Sequence, residues 1–333
     1  MKKVITAVVA VATLFCTALV STSCDKVKNG SVIKNCTVTI VYDGDKEQDI
    51  TIELYKNYAP ATIEHFTYLS ENGYYDNTAV SNLNGYFEFG AYDKEKYEGI
   101  ITDEYVKGKT VVNGDDRYTS DKSIYGEFKE NGIGGNKLDF SSGALVLKRD
   151  YSESSSKSYY NTGKATMAIT FSASGSYFND KTKYAILGKL SKDDEITVKN
   201  SDGEDEKMTS YDFVYKLYTG YKTEKDDDET YSNTYYYFGY DYSSYPYSEG
   251  ADNYDADEKA NYATLNAKLN VYGRYFKRDI DGNYFYKDGE EYKALDEENE
   301  DDQLLIDAFT EKSLYLSILP YKAITIKKIT VEK

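Results

Sequence analysis

The chain has 333 residues, with 57 acidic and 40 basic side chains and a formal net charge of -17. This charge excludes a basic nucleic-acid-binding surface, because contacts to phosphates need clustered Lys and Arg. It also argues against adhesion of the folded body to an anionic lipid surface, so any attachment to a membrane needs a separate device.

The N-terminus has the pattern of an export signal. Two lysines precede an apolar stretch over residues 4–20 and the small residues Ser21-Thr22-Ser23. The stretch is too short for a stable membrane-spanning helix. Cys24, directly after the small residues, resembles a bacterial lipoprotein processing site. We therefore predict a signal peptide over 1–24, lipidation at Cys24 and an exported protein anchored to the membrane outside the cytoplasm; plain secretion and an uncleaved anchor are the alternatives.

Cysteine usage excludes a disulfide framework. The sequence holds only Cys16, Cys24 and Cys36, and Cys16 is lost with the signal. If Cys24 is acylated, Cys36 has no partner within the chain, so neither a disulfide nor a cysteine metal site is expected.

The segment after the signal predicts a mainly β fold. Residues 25–33 are polar and fit a tether. Residues 37–41 and 49–55 alternate with period two around a turn-rich 43–45, which predicts a β-hairpin. Pro60 then begins a helix that ends at Gly73. Short β-like runs with Gly and Asn punctuation continue to about residue 190, which is typical of a closed barrel or a sandwich.

The composition changes in the second half. Residues 202–302 are rich in Asp, Glu, Tyr, Ser and Asn. A helix is predicted after Ser210, and an Asp-Gly signal predicts a hairpin over 283–292. Apolar residues at helical spacing follow over 304–318, and alternation predicts a final strand over 323–331.

Several motifs, in the same order, are similar to those of cyclophilin-type peptidyl-prolyl isomerases. A Pro-initiated helix is followed by Gly73-Tyr74-Tyr75-Asp76-Asn77-Thr78, which resembles the family's Gly-Tyr-Tyr-Asp-Gly-Thr. The later matches are Ile124 to Gly132, Gly143 to Leu147, Tyr184 to Leu190 and the final strand. Each match is weak alone, but their common order is fairly specific.

The resemblance implies a mainly β fold, namely an eight-stranded antiparallel barrel capped by two helices, with a substrate groove on its outer face. It divides the chain into a first part of the domain over 34–217 and a closing helix and strand over 303–333. Between them, 218–302 would form an acidic, Tyr-rich insertion that is β-rich or partly disordered.

The resemblance also implies a set of site residues. An ungapped alignment places Val80, Ser81 and Asn82 on the family's Phe-His-Arg motif, so the catalytic Arg is missing and Asn82 is the candidate in its place. Phe87 retains a pocket Phe, whereas Glu88 replaces Met. The implied substrate-binding residues are Val80, Phe87, Glu88, Gly90 and Thr166 (each at a Gln position), Ala168 (at a Phe position) and Tyr184.

Other candidate groups favour simpler interpretations. Arg117 or Arg149 could replace the missing Arg, but each is expected on a solvated loop or beside an Asp. His65 is expected to be a partly exposed helix residue and not a catalytic base. Residues 279–283 are similar to a calcium loop, but the Gly is misplaced. We predict no metal and no cofactor.

The resulting hypothesis is a cyclophilin-type isomerase or folding helper for exported proteins. Its partners would be proline-containing peptide segments and, through the lipid anchor, the membrane; a monomer is expected. We predict weak turnover, because a neutral Asn is a poorer donor than Arg. Two alternatives remain: a peptide- or protein-binding surface lipoprotein without turnover, and a structural lipoprotein in which the barrel presents the insertion.

Overall fold

The computed structural model describes residues 34–55, 58–133, 140, 143–149, 157–171, 181–200, 203–222, 224–225, 231–237, 256–272, 275–279, 281–289, 291–310 and 316–332. The predicted export signal, Cys24 and the tether lie outside these ranges and stay predictions. Within the ranges, no helix has the length and apolar character needed to cross a bilayer.

Eight antiparallel strands form a closed barrel. They are β1 (Lys34–Tyr42), β2 (Lys46–Leu54), β3 (Thr78–Asn82), β4 (Tyr86–Phe89), β5 (Ala144–Leu147), β6 (Met167–Thr170), β7 (Ile186–Leu190) and β16 (Thr325–Val331). Their order around the barrel is β1-β16-β3-β4-β6-β5-β7-β2. The predicted fold class is therefore confirmed.

Alternating apolar residues explain why these segments form a barrel. In β1 and β2 buried residues alternate with exposed or half-buried ones. Because successive side chains of a strand point to opposite faces, one face of each strand builds the core. The inward residues of the two strands are Cys36, Val38, Ile40, Ile50, Ile52 and Leu54.

Two longer helices complete the barrel core. They are α1 (Pro60–Glu71) and α4 (Ser210–Gly220), with the short helices α2 (Lys94–Ile100) and α3 (Asp103–Val106) between them. The buried Glu127 carboxylate accepts hydrogen bonds from the backbone N–H of Thr62 at 2.6 Å and from the Thr62 hydroxyl at 2.9 Å. The first of these satisfies one of the backbone donors that have no partner within the first turn of α1. The apolar residues that α1 and α4 add to the core are Ile63, Phe66, Leu69, Phe213, Val214 and Leu217.

The acidic segment contains a second folded unit. Its six-stranded sheet consists of β10 (Glu224–Lys225), β11 (Tyr231–Tyr237), β12 (Tyr275–Arg278), β13 (Tyr284–Asp288) and β14 (Glu291–Ala294), with β15 (Leu316–Leu319) paired to β11. Two helices, α5 (Ala256–Tyr272) and α6 (Glu300–Thr310), accompany the sheet. Its own core contains Leu265, Leu269, Phe276, Tyr284, Leu295, Leu305, Ala308 and Phe309. The remaining strands, β8 (Ile196–Lys199) and β9 (Asp205–Met208), form a separate hairpin before α4.

The predicted boundary at residue 303 needs a correction. Leu305 and Phe309 of α6 are buried in the second core, and β15 pairs with β11. Of the elements predicted to close the barrel domain after residue 303, the structure thus places only β16 in the barrel. Helical apolar spacing shows that a segment buries one face, but it does not say in which core, and α6 ends at Thr310 instead of continuing to 318.

The insertion leaves and rejoins the barrel at one place. The Tyr321 N–H donates to the Tyr221 carbonyl oxygen at 3.1 Å, and the two rings stack with centroids 5.4 Å apart. The Tyr221 hydroxyl also donates to Asp43 Oδ1 at 2.5 Å, which ties this junction to the β1–β2 turn. Because the two ends meet, the barrel can accommodate the insertion without changing its own strand order.

The side chains around Gly90, directly after β4, leave no space for a larger residue at this position. Its φ is +68°, and a Cβ there would lie 2.5 Å from Cε1 of the Tyr75 ring. That ring is fixed, because the Tyr75 hydroxyl donates to the Ala165 carbonyl oxygen at 2.9 Å. Gly90 therefore cannot line a groove with a side chain, and the family's Gln has no space at this position.

We expect Gly90→Ala to lower the free energy of unfolding by about 2–5 kcal/mol. A left-handed conformation costs an L-residue roughly 1–2 kcal/mol, and overpacking adds about 1–3 kcal/mol. Gly44→Ala is the matched control, since Gly44 has a φ of +90° but nothing within 4 Å of its Cβ position. Urea unfolding measures both, and equal losses would contradict the packing argument.

Candidate functional site

Strand β4 separates the predicted site residues onto two sides of the barrel wall. Phe87 pairs with Ile169, and both belong to the barrel core. Glu88 pairs with Ala168 and faces outward, because alternate residues face opposite sides. Phe87 and Val80 are 0% and 2% exposed and lie in the core. This placement corrects the expectation that their side chains line an outer groove.

A β-bulge turns the end of β3 toward the outer face. Val80 pairs with Phe89, but Asn82 pairs with Glu88, so two steps along β3 match one step along β4. Asn82 therefore lies beside Glu88. Its side chain is 3% exposed, and its Oδ1 accepts a hydrogen bond from the Asn84 backbone N–H at 2.8 Å. The residue at the family's Arg position thus braces the β3–β4 turn.

A buried ion pair occupies the outer face at the family's Met position. The Glu88 side chain is 3% exposed, and its Oε2 binds the ammonium group of Lys148. Its Oε1 accepts a hydrogen bond from the Ser81 hydroxyl at 2.8 Å. The same ammonium donates to the Tyr86 hydroxyl oxygen at 3.1 Å. These contacts satisfy a carboxylate that would otherwise be costly to bury.

Lys148 was not among the predicted site residues. Its backbone N–H donates to the Thr166 carbonyl oxygen at 2.9 Å, so it lies directly beside a residue that was predicted. Thr166 and Lys148 are both half-buried, and the Lys148 side chain is 11% exposed. The available sequence signal was a charged residue immediately after the apolar run Ala144–Leu147.

Phe140 covers another part of the outer face. It is 3% exposed, and its ring lies 5.8 Å from that of Tyr184 in an edge-to-face arrangement. The Thr170 hydroxyl donates to the Phe140 carbonyl oxygen at 2.8 Å. Ala168, which replaces a family Phe, belongs to the same cluster, so Phe140 supplies aromatic volume that Ala168 lacks. The other members are Tyr86, Ala144, Val146, Tyr184 and Ile186.

Both arginines considered as replacements have other partners. Arg149 is 5% exposed, donates from Nη1 to the Tyr159 carbonyl oxygen at 3.0 Å and lies 5.0 Å from the centre of the Tyr184 ring. Arg117 pairs with Glu64 at 2.7 Å. Arg149 is therefore buried among aromatic rings and does not lie on a solvated loop.

His65 is a buried structural residue. It is 1% exposed, which corrects the expectation of partial exposure. Its Nδ1 lies 3.0 Å from the Tyr118 hydroxyl, and its Nε2 lies 2.6 Å from the Lys164 carbonyl oxygen. Burial lowers the pKa of His65 to about 4, so the ring is neutral at pH 7. Because the Lys164 carbonyl oxygen can only accept, the neutral ring donates to it from Nε2 and accepts from the Tyr118 hydroxyl at Nδ1, which links α1 to the segment before β6.

The other candidate groups form no reactive site. Among the side chains that the structure describes, no group of three or more His, Cys, Asp or Glu could hold a metal ion. In the turn that is similar to a calcium loop, Asp279 instead accepts from the Asn283 backbone N–H at 2.8 Å and side-chain amide at 2.7 Å. Burial raises the pKa of the Cys36 thiol to about 12, so it stays protonated.

The chain has similarities to known cyclophilin-type proteins. The family model described as Cyclophilin type peptidyl-prolyl cis-trans isomerase/CLD matches residues 37–208, slightly more than half of the chain. A crystal structure of a cyclophilin type peptidyl-prolyl cis-trans isomerase from Cryptosporidium parvum has 22% identity and a TM-score of 0.29, and the match covers 47% of this chain and 76% of that one. The crystal structure of the same protein in the presence of the dipeptide Ala-Pro has 19% identity and a TM-score of 0.30, and the match covers 59% of this chain and 89% of that one. No curated protein matches the chain.

At these TM-scores, the family assignment depends on the sequence match and not on the structural likeness. The matched residues include β2 to β7, most of β1, α1 and the predicted site residues from Val80 to Tyr184. The chain belongs to the cyclophilin-type peptidyl-prolyl cis-trans isomerase family.

Proposed function

We propose that this protein is a weak peptidyl-prolyl isomerase, or folding helper, that acts on proline-containing segments of exported proteins. The observation that carries the proposal is the outer face of β3, β4 and β6. There the bulge places Asn82 beside Glu88, and the half-buried Thr166 and Ser81 leave polar groups near solvent. An extended peptide could lie across this face.

The chemistry of the reaction explains why turnover would be weak. Rotation about an X-Pro bond must overcome an amide barrier of about 18–20 kcal/mol, and a donor that weakens amide resonance lowers that barrier. Charge-assisted hydrogen bonds are roughly twice as strong as neutral ones, and losing one preorganised donor costs about 10² to 10³ in rate. Asn82 is neutral, and with its Oδ1 accepting from the Asn84 backbone N–H, donation to a peptide would come from its Nδ2.

A second candidate function is a peptide- or protein-binding module without turnover. The observation that favours it is Phe140, which belongs to the same apolar cluster as Ala168 and lies beside Tyr184. An aromatic side chain in this place reduces the apolar surface left for a pyrrolidine ring. In this alternative, the acidic insertion would contribute the partner surface.

The assignment is tested by the rate of cis-trans exchange in a short Ala-Pro peptide, measured by NMR. We expect residues 25–333 to accelerate the exchange slightly. The Asn82→Arg variant should accelerate it at least about tenfold more than the wild type, because a cationic donor replaces a neutral one. Asn84→Arg, at an exposed position of the same turn, is the control. Peptide binding without acceleration by either protein would favour the binding module, and a wild-type rate typical of the family would refute weak turnover.

We further propose that the protein is exported and held at the membrane by lipid on Cys24. Support comes from the charged start, the apolar stretch and the small residues before Cys24. Two or three acyl chains would give stable anchoring, since each buried methylene contributes about 0.8 kcal/mol.

Substitution of Cys24 tests the anchor. We expect Cys24→Ser to move the protein from the membrane fraction to the soluble fraction, because the acylated thiol is lost. Cys36→Ser is the matched control and should stay with the membrane, since Cys36 lies inside the barrel. If Cys24→Ser remains in the membrane fraction, the lipid anchor is not at this residue.

A further inference from the structure

The outer face holds a cation that the family alignment does not provide. The ammonium group of Lys148 binds Glu88, and the Glu88 backbone is opposite Asn82 in the β3–β4 ladder. The Lys148 backbone N–H in turn binds Thr166. The ammonium group thus contacts the residue at the family's Met position, while the Lys148 backbone lies beside Thr166 at a Gln position and Asn82 at the Arg position pairs with Glu88.

We propose that Lys148 is a catalytic residue that partly replaces the missing Arg, as the charged hydrogen-bond donor responsible for the weak turnover of the X-Pro segment. This inference rests on the isomerase function proposed above. The donor would bind the peptide's carbonyl oxygen and hold it while the C–N bond rotates. No covalent bond forms or breaks in this step.

The contacts of the ammonium group are suited to that role. Glu88 is 3% exposed and fixes the charge in place, so the donor needs no reorganisation when the peptide arrives. Tyr86 provides a neutral contact at 3.1 Å, and a peptide carbonyl oxygen can take the place of this hydroxyl while Glu88 stays bound. The Lys148 side chain retains 11% exposure, and the half-buried Thr166 lies beside its backbone.

The other two cations considered as donors, Arg149 and Arg117, are less suited to contact a bound peptide. Arg149, the next residue, is 5% exposed and directed to Tyr159 and aromatic rings. Arg117 pairs with Glu64, which lies on α1. Of these three cations, Lys148 combines a contact to Glu88 with access to solvent.

The test compares Ala-Pro peptide exchange rates for four forms of the full-length chain in mild detergent. Besides wild type, these are Lys148→Arg, the double variant Glu88→Met with Lys148→Met, and the control double variant Glu53→Met with Lys189→Met.

The Glu88/Lys148 double variant removes the cation without leaving Glu88 buried and unpaired. The control removes another Lys–Glu pair of the barrel, in which the two groups are 3.5 Å apart. Circular dichroism checks folding, and NMR titration gives peptide affinity separately from the rate.

We expect the Glu88/Lys148 double variant to lose at least about tenfold in catalysed rate, a larger factor than its loss of peptide affinity. Lys148→Arg should keep most of the wild-type rate, since it preserves a charged donor, and the control should match wild type. A folded double variant with the wild-type rate would overturn the role of Lys148 and leave the isomerase function standing. If Lys148→Arg loses as much catalysed rate as the double variant, the role of Lys148 is overturned as well, because a charged donor at this position would then not be sufficient. A wild-type protein that does not accelerate exchange would instead refute the isomerase function itself.

Discussion

The pairing of β16 with β1 closes the barrel, and the rest of the domain depends on that closure. Six residue pairs, from Cys36 with Val331 to Val41 with Thr325, join the first strand to the last. On its other side β16 pairs with β3 through Ile326 and Thr78. A closed barrel leaves no unpaired edge. It also fixes where β3 begins, and hence where the bulge brings Asn82 to the outer face.

The outer face shows how a family scaffold can keep its fold while its site changes. The core requires inward apolar residues, and Phe87 and Val80 satisfy that requirement. The outward positions are less restricted, so Glu88 stands at a Met position once Lys148 is present to pair with it. Similarly, Ala168 occupies a Phe position in a cluster where Phe140 adds an aromatic ring. Both changes are local exchanges of charge or volume between neighbouring elements.

Sequence periodicity was sufficient for several local elements. Alternation in 37–41 and 49–55 predicted the first hairpin, and Pro60 marked the start of α1, because these signals depend on neighbouring residues. The Glu88–Lys148 pair joins residues 60 positions apart, and no local pattern links them. The side to which Phe87 points depends on the register of β4, which an alignment of motifs does not give. The same limit explains why α6 was assigned to the wrong core.

The insertion is a separate folded unit, although its strand β15 also contacts β3 of the barrel. Tyr221 and Tyr321 bring its ends together, and it buries its own core. The most direct test of barrel closure therefore replaces residues 223–319 with a short Gly-Ser linker and follows urea unfolding and amide exchange. A self-sufficient barrel predicts one cooperative transition, with slowly exchanging amides in β1 and β16. Loss of cooperative unfolding, or fast exchange along β16, would contradict it.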